Sequence, residues 1–201
     1  MATKYWDRVG RVGRGRDFRG NKGRADLRRL AEAALELRPG DRALDIGCGS
    51  GTDLAMLREA VGPDGYVLAI DSSTVMVAQA KALVEAHGWD NVEVRQADAT
   101  TLAVEGFDAA LSIFAVSATP DVRATLVNAR AALRPGGRLY VMDLRLVDPT
   151  PLNHVFRWAY RTFARWAGVD VLDTARYVFD TVEAPDQLPS WPPVAAFTAI
   201  R

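Results

Sequence analysis

The stretch that most constrains the fold is Ala43-Leu-Asp-Ile-Gly-Cys-Gly-Ser-Gly-Thr52, in which a short apolar run precedes three glycines at alternate positions. A short apolar run bounded by glycines is typical of a buried parallel strand. Glycines let the backbone turn sharply and let a ligand approach it closely. A helix that opens near Thr52 would begin with free N–H groups. The stretch therefore predicts a nucleotide site at the carboxyl end of the first strand of an α/β sheet.

The spacing of these glycines argues against two common classes of nucleotide site. The dinucleotide fingerprint G-x-G-x-x-G/A is not met, because Thr52 occupies the place of its third glycine, and no lysine follows as in a phosphate loop. Asp45 places a carboxylate at the mouth of the turn, which suits a cationic amino group better than a pyrophosphate. Taken alone, the stretch is also compatible with a turn that only packs a strand on a helix.

Composition and length predict one globular domain. The chain has 201 residues, 49% of them hydrophobic, which is enough for a proper core. We find no apolar run of bilayer-spanning length, and the first seven residues lack the apolar centre of a signal peptide, so we expect a cytoplasmic protein. Cys48 is the single cysteine, which excludes an intramolecular disulfide framework and a cysteine-rich zinc site. We therefore expect no metal.

Positive charge is concentrated at the amino terminus. Residues 1–30 hold ten Lys or Arg and three Asp, so a net charge of +7 there is balanced by −7 in the rest of the chain. Residues 1–24 are rich in Arg and Gly and are predicted to form a flexible basic arm, with a single domain over residues 25–201. The arm is interpreted as a lid over the site, as a contact for an anionic partner, or as a solvated segment.

Strands and helices alternate along residues 27–143. The predicted strands are Ala43–Ile46, Tyr66–Ile70, Val92–Gln96, Phe107–Phe114 and Arg138–Asp143, and the predicted helices are Ala25–Leu37, Thr52–Val61, a helix capped by Ser72 and ending at His87, and a helix from Thr119-Pro120-Asp121 through Leu133. This order predicts a parallel sheet with helices on both faces. Asp71 follows the second strand, where a carboxylate can accept both hydroxyls of a ribose.

The glycine stretch resembles motif I of the class I S-adenosylmethionine-dependent methyltransferases, and three later tracts strengthen the resemblance. They are Asp71-x-x-x-x-Met76, Ala97-Asp98-Ala99 and Leu133-Arg-Pro-Gly-Gly137. The resemblance implies a Rossmann-like, doubly wound, mostly parallel sheet and S-adenosyl-L-methionine as cofactor. In that family Met76 packs against adenine, and the Asp98-Ala99 pair recognises it. The implied cofactor-binding residues are Asp45, Gly47, Cys48, Gly49, Ser50, Gly51, Asp71, Ser72, Met76, Asp98, Ala99, Ile113 and Phe114.

Within this class, residues 40–187 look most like the ubiquinone/menaquinone-biosynthesis methyltransferases. The resemblance rests on the tract Phe107–Asp121, on Pro151-Leu152 after the fifth strand, and on Arg176-Tyr177 and Pro185-Asp186-Gln187. The chain departs from that family because only fourteen residues follow Gln187. The usual carboxyl-terminal edge is therefore expected to be shortened. Residues 194–201 are interpreted as a final strand, and residues 177–183 either as its partner or, following the resemblance, as a helix.

An amphipathic helix predicted over Leu152–Ala167 bears on the substrate. Its apolar stripe is Val155, Phe156, Ala159, Phe163 and Trp166, and its basic stripe is Arg157, Arg161 and Arg165. Such a helix suits the wall of a pocket for a greasy substrate, a peripheral contact with an anionic membrane, or ordinary packing on the domain. Our candidate substrate-binding residues are Tyr5, Trp6, Phe156, Phe163 and Trp166.

The resemblance implies a methyltransferase (EC 2.1.1.-), whose main task is to align methyl donor and acceptor in a water-poor pocket. The Asn/Asp-Pro-Pro-Tyr/Phe tetrad of enzymes that methylate amino groups in nucleic acids is absent, since Ile113-Phe114-Ala115-Val116 stand there. We therefore expect methylation of an oxygen or carbon of a small, lipophilic, phenolic or quinol-like acceptor, with His154 as the candidate general base. Arsenite is disfavoured by the single cysteine. The alternatives are RNA methylation through the basic arm and a non-catalytic cofactor-binding module.

Overall fold

The computed structural model describes residues 2–12, 21–145, 158, 168–184 and 194–201. Its strands are β1 Arg42–Ile46, β2 Tyr66–Asp71, β3 Val92–Gln96, β4 Phe107–Ile113, β5 Leu133–Leu144, β6 Thr181–Glu183 and β7 Val194–Ile200. Its α-helices are α1 Ala2–Val12, α2 Asn21–Leu35, α3 Leu54–Val61, α4 Thr74–His87, α5 Val122–Ala132 and α6 Val171–Val178. Two short 3₁₀ turns cover Ala99–Thr101 and Val116–Ala118.

The strands form one seven-stranded sheet in the order β3-β2-β1-β4-β5-β7-β6. Strands β1 to β5 are parallel, and β7 and β6 complete the sheet in antiparallel pairing. The predicted doubly wound, mostly parallel sheet is thereby confirmed. Because the chain winds from β1 outwards to β3 and then returns to β4 on the other side, the strand order reverses between β1 and β4. In open α/β sheets, ligands bind at the carboxyl ends of the strands at this switch point.

Apolar layers cover both faces of the sheet, which explains why β1 and β4 read as nearly continuous apolar runs. Successive side chains of β1 point to opposite faces. Ala43 therefore packs with Leu54 and Leu57 of α3 in one layer, and Leu44 packs with Leu126 of α5 in the other. No described helix is long and apolar enough to cross a membrane.

Several element boundaries differ from the sequence prediction. Helix α3 begins at Leu54 rather than at Thr52. Helix α4 begins at Thr74, and its N-cap is Ser73 rather than Ser72, because the Ser73 side chain accepts the Met76 N–H. The segment 134–137 lies inside β5, at a shift in the register with β4, instead of forming a turn before the strand. Its glycine N–H and carbonyl groups are bonded to the Arg201 backbone, which draws the segment into the sheet.

The carboxyl-terminal edge contains both a helix and a strand, the two alternatives that the sequence left open for residues 177–183. Helix α6 ends at Val178, and the three-residue strand β6 follows at Thr181. The expected final strand is β7, which lies between β5 and β6. This edge is therefore a single antiparallel strand with a very short outer partner.

The amino-terminal stretch differs from the loosely ordered arm expected from its composition. Residues 2–12 form α1, which packs on α4, and α2 already begins at Asn21 rather than at Ala25. Hydrogen bonds from α4 to Asp7 and to the Gly10 carbonyl hold α1 in place. Composition alone does not reveal these contacts, because their partners lie more than sixty residues away along the chain. Residues 13–20 of the expected arm lie outside the described residues.

Candidate functional site

A cavity of about 250 Å³ opens at the carboxyl ends of β1, β2 and β4, where the strand order reverses. Ten of the predicted site residues line it: Trp6, Gly47, Gly49, Asp71, Ser72, Met76, Asp98, Ala99, Ile113 and Phe114. Ile46, Ile70, Ala97, Ala115, Ala118, Thr119 and Pro120 complete the lining. The sequence thus located most of one wall of the cavity, whereas residues 115–120 were not singled out.

Nine predicted site residues do not line this cavity or lie outside the described residues. Tyr5, Asp45, Cys48, Ser50 and Gly51 are not part of the lining, although all but Gly51 are next to a lining residue in the chain. His154, Phe156, Phe163 and Trp166 lie outside the described residues. Tyr5 contacts Trp6 edge to face, with the two ring centroids 5.1 Å apart. Cys48 is buried, and burial raises the pKa of its thiol, which makes it a packing residue rather than a nucleophile.

The glycine turn after β1 is shaped by close contacts. The N–H groups of Gly47 and Cys48 both donate to the Ile70 carbonyl, at 2.8 and 2.9 Å. A Cβ on Gly47 would lie 2.2 Å from the Ala115 Cβ, and its φ of +77° is itself unfavourable for a side chain. Gly49 has a φ of +56°, but a Cβ there would meet no atom within 4 Å. Gly47 is therefore required for packing, whereas Gly49 borders open space that a ligand can use.

Asp71 links this turn to the start of α4. Its Oδ2 accepts the Gly49 N–H at 2.9 Å, and its Oδ1 accepts the Ser73 N–H at 2.8 Å. Burial raises the pKa of this carboxyl, and the two backbone donors act against that rise. A carboxylate offers about four acceptor positions. Asp71 can therefore hold the turn in shape and still accept ligand hydroxyls from the cavity that it lines.

Asp45 is a buried carboxylate with one oxygen that lacks a hydrogen-bond partner in the described part of the chain. It is 3% exposed, and its Oδ2 has no hydrogen-bond partner among the described residues. Burial, followed by the nearby charges of Asp53 and Asp71, holds its pKa well above the ordinary range. An unpaired buried charge is costly, and a cation placed beside it removes that cost. The site is therefore suited to a ligand that brings a positive group to the glycine turn.

Asp98 and Ala99 border the cavity after β3. The Asp98 Oδ1 accepts both the backbone N–H and the hydroxyl of Thr100, at 2.9 and 2.8 Å. This cap fixes the 3₁₀ turn that begins at Ala99. The carboxylate and the neighbouring backbone are thus held in a defined orientation at the edge of the cavity.

Asp143 supports the opposite wall of the cavity, which residues 113–120 form, through hydrogen bonds to Ser117. This residue is 2% exposed at the end of β5, where its Oδ2 accepts the Ser117 N–H at 2.8 Å and its Oδ1 accepts the Ser117 hydroxyl at 2.5 Å. Burial raises the pKa of Asp143 to about 6. Ser117 lies in the 3₁₀ turn that carries Ala115 and Ala118 to the cavity. The sequence reasoning missed this pair, although an acid at the end of a strand was the signal that identified Asp71.

Comparison with known proteins identifies the family. The family model described as "Methyltransferase domain" matches residues 37–169, which is more than half of the chain. The chain belongs to this family. S-adenosylmethionine is the cofactor of this methyltransferase domain, and the unpaired Asp45 carboxylate fits a cofactor that carries a cationic amino group.

Three curated relatives carry different printed activities. The chain is 32% identical over 134 residues to the demethylmenaquinone methyltransferase of Bacillus cytotoxicus, covering 66% of this chain and 55% of that protein. It is 33% identical over 151 residues to the nocamycin O-methyltransferase of Saccharothrix syringae, covering 73% and 52%. It is 31% identical over 122 residues to an arsenite methyltransferase of Halobacterium salinarum, covering 60% and 31%. The chain therefore spans between about a third and a little over half of the length of these relatives.

A solved structure supports the fold independently of sequence. The phosphoethanolamine N-methyltransferase 2 of Haemonchus contortus, in complex with phosphomonomethylethanolamine and S-adenosylhomocysteine, superposes with a TM-score of 0.83. The match covers 100% of this chain and 60% of that one at 17% sequence identity. This likeness establishes the Rossmann-like fold of the methyltransferase domain.

Proposed function

We propose that this protein transfers the methyl group of S-adenosylmethionine to an oxygen or carbon atom of a small, lipophilic, phenolic or quinol-like acceptor. The observation that carries the proposal is the unpaired carboxylate of Asp45 beside a glycine turn at the switch point of the sheet. That arrangement suits the cofactor's amino group. The apolar lining of the opposite wall, residues 113–120, supports a lipophilic acceptor.

The proposed cofactor contacts follow the order of the strands. Asp45 faces the amino group, while Gly47, Cys48, Gly49, Ser50 and Gly51 let the backbone approach the cofactor closely. Asp71 and the adjacent Ser72 receive the ribose hydroxyls, Asp98 accepts from the exocyclic amine of adenine, and the Ala99 backbone reaches the ring. Met76, Ile113 and Phe114 supply apolar contacts, and these last three residues line the cavity.

The chain's own contribution to the reaction is alignment and exclusion of water. S-adenosylmethionine supplies an already activated methyl group when it is bound. Holding donor and acceptor in line saves most of the entropic cost of bringing them together. The apolar side chains of Trp6, Ile113 and Phe114 keep this part of the cavity poor in water. A phenol or an activated ring carbon also benefits from a base, and His154 keeps that proposed role.

The wall of residues 113–120 favours a lipophilic acceptor. Beyond the proposed cofactor contacts Ile113 and Phe114, its lining members are Ala115, Ala118, Thr119 and Pro120, of which only Thr119 has a polar side chain. Small-molecule pockets are usually apolar with few polar groups. Among the relatives, the demethylmenaquinone methyltransferase supports a quinol-like acceptor, and the O-methyltransferase supports transfer to an oxygen atom. We propose that Tyr5, Trp6, Phe156, Phe163 and Trp166 complete the substrate side, and that the helix proposed for Leu152–Ala167 also contacts membranes peripherally.

RNA is a second candidate acceptor, because exposed arginines of α1 lie near the cavity. Arg8 and Arg11 are exposed on α1, whose neighbouring Trp6 reaches the cavity. A basic helix at the rim of a site can bind phosphates, and such binding weakens steeply as salt rises. The lipophilic and RNA proposals therefore predict opposite salt dependences.

The test is a transfer assay with methyl-labelled S-adenosylmethionine against a demethylmenaquinol analogue, simple lipophilic phenols, arsenite and RNA. We expect labelling of a phenolic or quinol acceptor that falls only weakly between 50 and 200 mM salt, concentrations chosen for the salt test of phosphate contacts. Labelling of RNA that collapses with salt and with neutralisation of Arg11, Arg14 and Arg16 would favour the second candidate. Cofactor binding without transfer to any acceptor would favour a non-catalytic module.

A further inference from the structure

Asp7 fastens α1 to the amino terminus of α4. Its Oδ1 accepts the Ser73 hydroxyl at 2.6 Å, the Thr74 hydroxyl at 3.2 Å and the Val75 N–H at 3.3 Å. Asp7 thus adds a second cap to a helix that Ser73 already caps through the Met76 N–H. A negative charge at this end of a helix is favourable. The contact therefore depends on the acceptor oxygen that Asp7 places at this end of α4.

A second contact lies one helical turn further along α1. Gln79 of α4 donates to the Gly10 carbonyl at 3.0 Å. A Cβ on Gly10 would lie 3.0 Å from the Val75 Cγ1, so the two helices touch at this glycine. Residues three apart share a face of a helix. Asp7 and Gly10 therefore form one docking face, and Trp6, the residue before Asp7, lines the cavity together with Met76 of α4.

Ser73 connects this docking face to the proposed ribose carboxylate. Its N–H donates to the Asp71 Oδ1, while its hydroxyl donates to the Asp7 Oδ1. The charges of Asp7 and Asp71 also act on each other across Ser73 unfavourably. The ribose hydroxyls, which S-adenosylmethionine and S-adenosylhomocysteine share, would offset that repulsion by donating to Asp71. Ser73 therefore links the proposed cofactor contact at Asp71 to the docking of α1 through Asp7.

We propose that Asp7 is a positioning residue, which docks α1 on α4 so that Trp6 closes the cofactor cavity and which thereby couples docking of α1 to cofactor binding. The proposal rests on the cofactor occupying this cavity, as proposed above. Coupling of this kind is reciprocal: if docking strengthens cofactor binding, the cofactor strengthens docking to the same degree. An undocked helix of eleven residues is marginal in water, so undocking is expected to unfold it.

Calorimetric titration of the whole chain with S-adenosylhomocysteine measures the first half of the coupling. Asp7→Ala and Trp6→Ala should each weaken binding by about tenfold, within the usual range of coupling between sites. The double variant should lose little more than either single one, because both changes remove the same docked state. Asp7→Asn keeps an acceptor for Ser73 and should stay near the wild type.

Two further variants separate docking from general stability. Gly10→Val changes neither Asp7 nor Trp6, but its side chain would crowd Val75 of α4 and should weaken docking, and with it binding, as Asp7→Ala does. Asp108→Ala is the matched control, since its carboxylate accepts the Arg42 N–H at 2.8 Å at the opposite end of the sheet. This variant should bind S-adenosylhomocysteine as the wild type does.

Limited digestion with trypsin measures the reciprocal half. In the wild type, S-adenosylhomocysteine should slow cleavage after Arg8, followed by mass spectrometry, by about the same factor as docking strengthens binding. In Asp7→Ala, cleavage should be fast and insensitive to the ligand. Unchanged affinity in Asp7→Ala and Gly10→Val, or cleavage after Arg8 that ignores the ligand in the wild type, would overturn the coupling. Absence of binding to the wild type would instead overturn the proposed function, and this inference with it.

Discussion

The two walls of the cavity are built by different means. The cofactor wall consists of a glycine turn and carboxylates that directly follow β1, β2 and β3, so each element lies beside the strand that positions it. The opposite wall, residues 113–120, depends on Asp143, which lies 26 residues beyond its partner Ser117. The helix that closes the cavity depends on Asp7, which lies 66 residues before Ser73. Both walls use tertiary hydrogen bonds, but the residues of the cofactor wall directly follow their strands, whereas Asp7 and Asp143 support α1 and the other wall from distant positions in the chain.

The largest effect is expected where the two walls touch, at Gly47. Gly47→Val places a branched side chain at a φ of +77° and drives its Cβ into the Ala115 Cβ. We expect a loss of stability on the order of 3–5 kcal/mol from strain and overpacking, together with loss of cofactor binding. Chemical denaturation measures the first and calorimetry the second. A Gly47→Val protein with normal stability would show that the walls do not meet as described.

A smaller effect is expected from removing the support of the opposite wall. Asp143→Ala leaves the buried Ser117 hydroxyl and N–H without their acceptor, at a cost of about 3 kcal/mol in the free energy of unfolding. Asn91→Ala, which removes two hydrogen bonds to carbonyls at the far end of the sheet, is the control. Asp143→Ala should impair methyl transfer to the acceptor more than Asn91→Ala does. Equal effects of the two variants on transfer would make Asp143 a residue of general stability only.

Asp143 also predicts the sign of a pH effect on stability. Its pKa is raised from 3.8 to about 6 in the folded protein, so between these values the folded state binds more protons than the unfolded state. The stability contributed by this group is therefore present below about pH 4 and declines as pH rises through about 6. The destabilisation caused by Asp143→Ala should accordingly be larger at pH 4.5 than at pH 7.5, values chosen on either side of the native pKa. The opposite trend in denaturation midpoints would contradict the raised pKa of this buried carboxyl.

A smaller effect is expected from substituting a single polar group of the cofactor wall, because several polar groups contribute to cofactor binding. Asp71→Ala should weaken S-adenosylmethionine binding by about 1.5–3 kcal/mol, the scale of a hydrogen bond to a charged group. The fold should remain intact, since Gly49 borders the cavity and α4 keeps its cap from the Ser73 side chain to the Met76 N–H. Calorimetry with a circular-dichroism control measures both. Unchanged affinity in a folded Asp71→Ala protein would exclude Asp71 as the ribose residue.

The same contrast explains what could be predicted from the sequence. The sheet, the glycine turn and Asp71 were predictable because a strand, its turn and its terminal acid are neighbours in the chain. The α4 cap was placed at Ser72 rather than at Ser73, because two adjacent serines satisfy the same sequence rule and only the backbone conformation separates them. The order of α1 and the role of Ser117 were not predictable, since each depends on a distant carboxylate whose burial and partner only the folded chain defines.

The central claim is that S-adenosylmethionine occupies the cavity at the switch point, with its amino group at Asp45. The most direct measurement is a crystal structure of the chain with S-adenosylhomocysteine, which retains that amino group. The account predicts the amino group on the Asp45 side of the glycine turn, the ribose hydroxyls on Asp71 and the adenine beside Asp98 and Ala99. A ligand bound elsewhere, or bound here with its amino group away from Asp45, would contradict it.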